Sequence, residues 1–269
     1  VTSFGNLPAR ALGAAAAIAV LLVLAVPDWP GAAPLFVAAA VVASLASVEA
    51  HRLFSADASP VSEIALAVAA SAATWGVAAS SRLTPVLLVL PGFAASAAPL
   101  FRGKPSGSVR SFAATGWVAA AAAVCAGLLF RMREISFWLF MTPLLACWAG
   151  DTAAYLAGTA FGRHRMAPSV SPGKTWEGFA AGMAGSVGGA MAAGAAGAGP
   201  GALRMAVLGA ACGLAGAYSD LAESMLKRDC GAKDSGRFIP GHGGLLDRID
   251  SLLGAVPAAW VLMRVWGIL

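Results

Sequence analysis

Residues 136–160 read SFWLFMTPLLACWAGDTAAYLAGTA, a run whose only charge is Asp151. A helix needs about 20 mostly apolar residues to cross the hydrocarbon core of a bilayer. This run meets that length. Working outward in both directions, eight more stretches of the same kind appear, at about 11–26, 32–48, 64–80, 85–100, 112–130, 178–198, 203–221 and 251–269. The breaks between them are chemically sensible. PDWPG at 27–31 and GAGPG at 197–201 combine proline and glycine in the manner of turns. The expected fold is therefore all-α: a polytopic integral membrane protein of about nine transmembrane helices.

Composition points the same way. Of the 269 residues, 59% are hydrophobic and 12% charged, against about 25% charged in soluble domains. A net charge of +5 fits basic loops facing anionic lipid head groups. With two Tyr and no basic–aromatic patch, nucleic acid is not an expected partner. Cys125, Cys147, Cys212 and Cys230 form no CxxC pair, so neither a disulfide framework nor a zinc site is expected. Residues 10–26 resemble the apolar core of a signal peptide, but no small-x-small cleavage site precedes a soluble domain, so they read as the first span.

Lys and Arg give the orientation. Nine spans place Arg10, Arg52, Arg102, Lys104, Arg110, Arg163, Arg165, Lys174, Lys227, Arg228, Lys233, Arg237 and Arg248 on one side. Arg82, Arg131, Arg133, Arg204 and Arg264 fall on the other, a split of 13 to 5 among the 18 basic residues. The positive-inside rule makes the first side cytoplasmic.

Charge is concentrated on that side. Residues 220–250 hold 11 of the 31 charged residues, of both signs, around the glycine-rich PGHGG at 240–244, where backbone can approach a ligand closely. Asp220, Glu223, Ser224 and Lys227 share one face of a helix continuing from the eighth span. Asp247 and Asp250, three apart, share a face if the ninth helix starts there. Two carboxylate pairs at the membrane edge suit a hard divalent cation; salt-bridging with Lys227, Arg228 and Arg248 is the competing use. A second cluster, SVSPGKTWEG at 169–178, carries Ser171, Gly173, Lys174 and Thr175 just before a helix, where donors to phosphate are supplied. It is no Walker motif: Pro168 stands where the first glycine is required, and no strand is expected before it. Lys174 as a plain interfacial anchor remains the alternative. Asp151 lies at membrane depth, where an ionisable residue is a functional candidate by default, with Tyr155 one turn on; a buried hydrogen bond or ion pair between helices is the other option. Gly178/Gly182, Gly185/Gly189 and Gly209/Gly213 have GxxxG spacing and read mainly as helix-packing positions. Glu49 and His51, after the second span, read as ordinary interfacial residues.

The stretch SMLKRDCGAKDSGRFIPGHGGLLDRID at 224–250 resembles the signature of the phosphatidate cytidylyltransferases. That pattern runs Ser-x-apolar-Lys-Arg, four residues, Lys-Asp, then Pro-x-His-Gly-Gly and Asp-Arg-x-Asp. DTAAYLAGTAFGRHR at 151–165 and SPGKTWEG at 171–178 are also similar to the family. Ser219 stands where many members have Gly. The resemblance is clear over about 150–251; the N-terminal half matches only as a series of spans. It implies transmembrane helices over 1–130 and a catalytic transmembrane region over 131–269. It also implies transfer of a cytidylyl group from CTP to phosphatidic acid, giving CDP-diacylglycerol and pyrophosphate. Asp220, Asp247 and Asp250 are then the expected ligands of Mg2+, with room for a second cation, and with Lys227 and Arg228 they form the catalytic set. Asp151, Ser171, Lys174, Thr175, Lys233, Asp234, His242, Gly243, Gly244 and Arg248 are the expected substrate contacts. The expected setting is a multi-pass homodimer in the cell membrane with its site facing the cytoplasm. Two other readings remain: a CTP-dependent enzyme acting on another lipid or a polyprenol acceptor, and a transporter with Asp151 in its pathway.

Overall fold

The computed structural model describes residues 33–55, 58–101, 108–236 and 243–269. Eight long helices run through them: α1 Ala33–Phe54, α2 Pro60–Ala78, α3 Thr84–Phe101, α4 Gly116–Ile135, α5 Phe137–Phe161, α6 Trp176–Ala193, α7 Ala202–Asp229 and α8 Leu246–Val265. A helical turn at Ser108–Arg110 and a π-helical segment at Ser111–Thr115 lead directly into α4. Between α5 and α6 lie two short antiparallel strands, β1 Arg165–Ala167 and β2 Ser171–Thr175, with Arg165 opposite Thr175 and Ala167 opposite Ser171.

Eight of the nine expected segments fall on these helices. The first, 11–26, and the turn at 27–31 lie outside the described residues. Nine membrane crossings are not confirmed. Among the described residues, five helical segments are long and apolar enough to cross on those grounds alone: Ala33–Phe54, Pro60–Ala78, Ser111–Ile135, Trp176–Gly197 and Ala202–Asp229. Of the others, α3 is a shorter apolar helix over Thr84–Ser96, α5 carries Asp151 and three threonines, and α8 opens on Asp247, Arg248 and Asp250. The strand pair corrects the expectation that no strand precedes the SPGKT segment. Thr175 favours extended backbone, and Pro172 is tolerated because a two-stranded ribbon is all edge.

Local chemistry sets the helix ends. Ser59 and Ser62 cap α2 reciprocally with Pro60 at the first helical position. Ser136 accepts the Trp138 N–H at the start of α5, and Thr175 accepts the Gly178 N–H at the start of α6. The turn between α6 and α7 needs positive φ at Gly197, Gly199 and Gly201, which glycine alone supplies cheaply.

Packing follows residue size. Helices α1, α2 and α4 pack on one another, with α3 against α2 and α4; α5, α6, α7 and α8 form the second group. The closest pair is α5 with α6, and the glycines explain it. A Cβ on Gly185 would lie 2.6 Å from the Ala149 carbonyl oxygen of α5; between α7 and α6, one on Gly209 would lie 2.6 Å from that of Ser186. Backbones at that distance exclude any side chain, which is the packing role of small residues in lipid. One apolar core joins the two groups, with Phe130 and Met132 of α4, Phe140 and Leu144 of α5, Leu208 of α7 and Val256 of α8 all buried. The four cysteines are free, three of them buried.

The last turns of α1, α5 and α7 and the first turns of α2, α6 and α8 share one end of the bundle. Contacts bind that end together: Glu49 at the end of α1 reaches Leu246 at the start of α8, and Arg110 pairs with Asp229 at 3.2 Å.

Candidate active site

At this end an open cleft of about 760 Å³ lies between α5, the strand pair, α6 and α7. Asp151, Tyr155 and Thr159 line it from α5, Ser171, Gly173, Lys174 and Thr175 from β2, and Asp220 from α7. Gly178 and Gly182 of α6, with Gly213 and Gly216 of α7, also line it, beside the side chains of Arg165, Phe179 and Met183. The Lys174 ammonium lies 2.6 Å from Asp220 Oδ2, and each side chain keeps 27% of its surface exposed. Arg228 ties the strand pair to the end of α7, donating from Nε to the Val170 carbonyl at 3.1 Å. Asp151 faces the cleft and is exposed there, within electrostatic reach of Asp220 and Lys174. Thr175 lines the cleft but is buried, its hydroxyl oxygen occupied as the cap of α6.

Behind α7 is a second, closed cluster. Lys227 lies 2.5 Å from Glu223 Oε2 and 2.6 Å from Asp247 Oδ1. Both carboxylates and the ammonium are almost removed from solvent. Asp247 also accepts the backbone N–H of Ser235 at 3.0 Å and of Gly244 at 2.9 Å. Asp247 thus closes the segment after α7 onto the first turn of α8, with Gly243 at φ 83° making the bend.

Glu49 and His51 are not ordinary interfacial residues. They are 7% and 0% exposed. Glu49 Oε2 accepts the Leu246 N–H at 2.9 Å and the Ser235 hydroxyl at 3.4 Å. His51 Nε2 is 3.0 Å from the Ser62 hydroxyl. The end of α1 packs beneath the start of α8, so both residues are interior. Ser235 is held from two sides, its N–H by Asp247 and its hydroxyl by Glu49.

The expected site residues therefore divide. Asp151, Ser171, Lys174, Thr175 and Asp220 meet at the cleft. Lys227, Asp247 and Gly244 belong to the closed cluster, and the Gly244 N–H is already given to Asp247. Lys233, Asp234, Arg228 and Arg248 are exposed around the same end. His242 lies outside the described residues. Asp250 stands between the two groups, within electrostatic reach of Asp220, Glu223 and Asp151; its neighbour Ser251 lines the cleft.

Asp220, Asp247 and Asp250 do not converge as a three-carboxylate cage, because Asp247 is turned onto Lys227 and two N–H groups. Among the described residues no three of His, Cys, Asp and Glu gather closely enough to hold a metal by themselves. The donor set does fit magnesium, which commonly takes one or two carboxylates and completes its shell with substrate phosphate and water.

Comparison with known proteins bears on this arrangement. The model of the cytidylyltransferase family matches residues 9–266. A phosphatidate cytidylyltransferase of Pseudomonas aeruginosa is 47% identical over 144 residues, covering 52% of this chain and 53% of that protein. One from Mycobacterium bovis is 39% identical over 130 residues, 48% of this chain and 42% of the relative. One from Haemophilus influenzae is 41% identical over 125 residues, 45% and 43% respectively. The chain spans about half the length of the curated relatives it matches.

Proposed function

The chain belongs to the cytidylyltransferase family, and from that premise we propose that it transfers the cytidylyl group of CTP to phosphatidic acid, forming CDP-diacylglycerol for phospholipid synthesis. The observation that carries this reading is the partly exposed Lys174–Asp220 pair in a cleft at one end of an apolar bundle. A water-soluble nucleotide and a lipid that never leaves the bilayer can meet only at such an edge.

A phosphate oxygen of phosphatidic acid attacks the α-phosphorus of CTP. The new P–O bond forms as the bond to the β-phosphate bridging oxygen breaks, and pyrophosphate departs with that electron pair. The attacking phosphomonoester has a second pKa of about 6, so near neutrality it is already largely dianionic and needs no strong general base. The harder task is to bring two polyanions together. Lys174 neutralises phosphate oxygens in the cleft, and Arg228, Lys233 and Arg248 add positive charge around its end. Ser171 offers a hydroxyl donor from β2. Asp220, with Asp250 within electrostatic reach, would hold magnesium, which would supply charge neutralisation for the triphosphate and the leaving pyrophosphate. The closed cluster of Lys227, Glu223, Asp247 and Glu49 holds the segment after α7 in shape.

The 13 to 5 division of Lys and Arg supports a multi-pass protein of the cell membrane with the cleft facing the cytoplasm. The earlier resemblance supports a homodimer, testable by crosslinking in membranes. The decisive experiment incubates purified full-length chain with CTP, magnesium and phosphatidic acid and measures pyrophosphate together with CDP-lipid. Release of both supports the reading. Release only with a polyprenyl phosphate acceptor, or with none, overturns it.

A further inference from the structure

At the opposite end of the bundle from the cleft, a second cavity of about 480 Å³ opens between the α2–α3 turn, α4 and α8. Three guanidinium groups line it, each from a different part of the chain: Arg82 from the turn, Arg131 from α4 and Arg264 from α8. None pairs with an Asp or Glu side chain among the described residues. Arg131 lies over the Trp260 ring, 5.2 Å from its centroid, which fixes the guanidinium plane against the wall. Arg264 gives one N–H to an oxygen of Leu269, the last residue of the sequence, at 3.0 Å. A guanidinium has five donors, so most remain for a ligand.

The turn between α2 and α3 supplies an independent observation. Ser80 has φ 49° and is the only non-glycine residue with positive φ among the described residues. Such conformations cost energy in a residue with a Cβ, and they gather at ligand clamps. The turn is pinned by the N–H of Ser80 to Val77 and of Ser81 to Gly76, at 3.2 and 3.0 Å. It brings Ser80, Ser81 and Arg82 together onto the cavity. Three guanidinium groups without an Asp or Glu partner among the described residues, and two hydroxyls, meet at one point and form an acceptor-seeking surface.

We propose that this cavity binds the phosphate group of an anionic membrane lipid, at the bilayer edge away from the cleft. Phosphate suits the donors, because guanidinium forks match its oxygens. A lipid suits the surroundings. Val77, Leu128 and the Trp260 ring form an apolar wall beside the arginines, and Leu83 and Val265 are exposed next to it. Trp with Arg at a helix end is the composition of a membrane–water boundary. The site is separate from the cleft and does not rest on the reaction proposed for it.

The test uses the purified full-length chain in mild detergent. Its melting midpoint and its bound lipids, counted by native mass spectrometry, are followed with added phosphatidylglycerol, phosphatidylcholine or inorganic phosphate. Phosphatidylglycerol is expected to raise the midpoint above the phosphatidylcholine value, while inorganic phosphate leaves it unchanged. In the double variant Arg82→Gln/Arg264→Gln, at least half of that extra shift and one retained lipid are lost. Arg82→Lys/Arg264→Lys, which keeps the charges, recovers both. If the glutamine pair does not purify folded, Arg82→Gln alone, in an exposed turn, takes its place under the same criterion. A glutamine variant that keeps the full shift overturns the proposal. So does a wild type that does not distinguish the two lipids. An equal response to inorganic phosphate overturns the lipid as ligand and makes the site one for free anions.

Discussion

Lys174→Ala separates two roles that the geometry would otherwise leave joined. Among the described residues Lys174 makes one ion pair, to Asp220, with both side chains 27% exposed. Pairs open to water contribute about 0.2–1 kcal/mol to stability. Losing this pair therefore leaves the melting midpoint close to wild type. Catalysis is on another scale. Removing one preorganised group that stabilises developing negative charge costs about 2.7–4 kcal/mol, or roughly 10²–10³ in turnover. The assay is pyrophosphate release per folded molecule, with melting followed on the same preparation. Lys174→Arg, which keeps the charge but changes its reach, is expected to fall between. Asp220→Asn in the alanine background tests the pair further. If Asp220 only holds Lys174, the double variant matches the single; if Asp220 also serves a metal, activity falls again. Unchanged activity per folded molecule in Lys174→Ala refutes the reasoning and leaves Lys174 an anchor.

Glu49→Ala leaves the buried Leu246 N–H without its acceptor and is expected to cost about 1–3 kcal/mol in an unfolding titration; a wild-type midpoint would mean that the contact is idle. Gly185→Ala is expected to destabilise by about 1–3 kcal/mol, as overpacking does, whereas Gly188→Ala, with nothing within 4 Å of its Cβ, should be neutral; equal behaviour in a melting assay would dismiss the close approach of α5 and α6. Asp151→Asn should melt like wild type, because the side chain faces an open cleft, yet lose turnover; loss of melting temperature with near-normal turnover would assign it a structural role instead.

The helices were legible because bilayer thickness dictates their length, so apolar runs mark them without any knowledge of tertiary contacts. The polar site was legible only as an inventory. Asp220, Glu223 and Lys227 do share a helical stripe, but a stripe is wide enough to serve two neighbours. Asp220 turns to β2, while Glu223 and Lys227 turn to the start of α8. Nothing local to α7 distinguishes these directions. Glu49 was harder still. Its partner Leu246 is 197 residues away, and a lone acid at the end of an apolar helix looks like any interfacial charge. In residues 171–175, five positions containing Pro and Gly carry little strand signal; pairing with 165–167 and the hold of Arg228 on Val170 make the ribbon.

The division of the two lysines follows from burial. Lys227 is enclosed with Glu223 and Asp247, and taking one partner from a buried ion group costs about 3–5 kcal/mol, because the charge left behind has no water to replace it. A phosphate that drew Lys227 away would strand two carboxylates, so its binding would have to offset that cost first. Lys174 faces no such barrier. Asp220 is partly hydrated, and when the ammonium turns to a phosphate, water or a cation can take its place on the carboxylate. An ion pair that is cheap to open, set in a cleft between small-residue walls, is thus suited to exchange partners with an incoming anion. The closed cluster is suited to stay shut through the cycle. Lys227→Met should accordingly be lost first as folded protein, whereas Lys174→Met should be lost first as activity. The opposite order in paired melting and turnover measurements would reverse the two assignments.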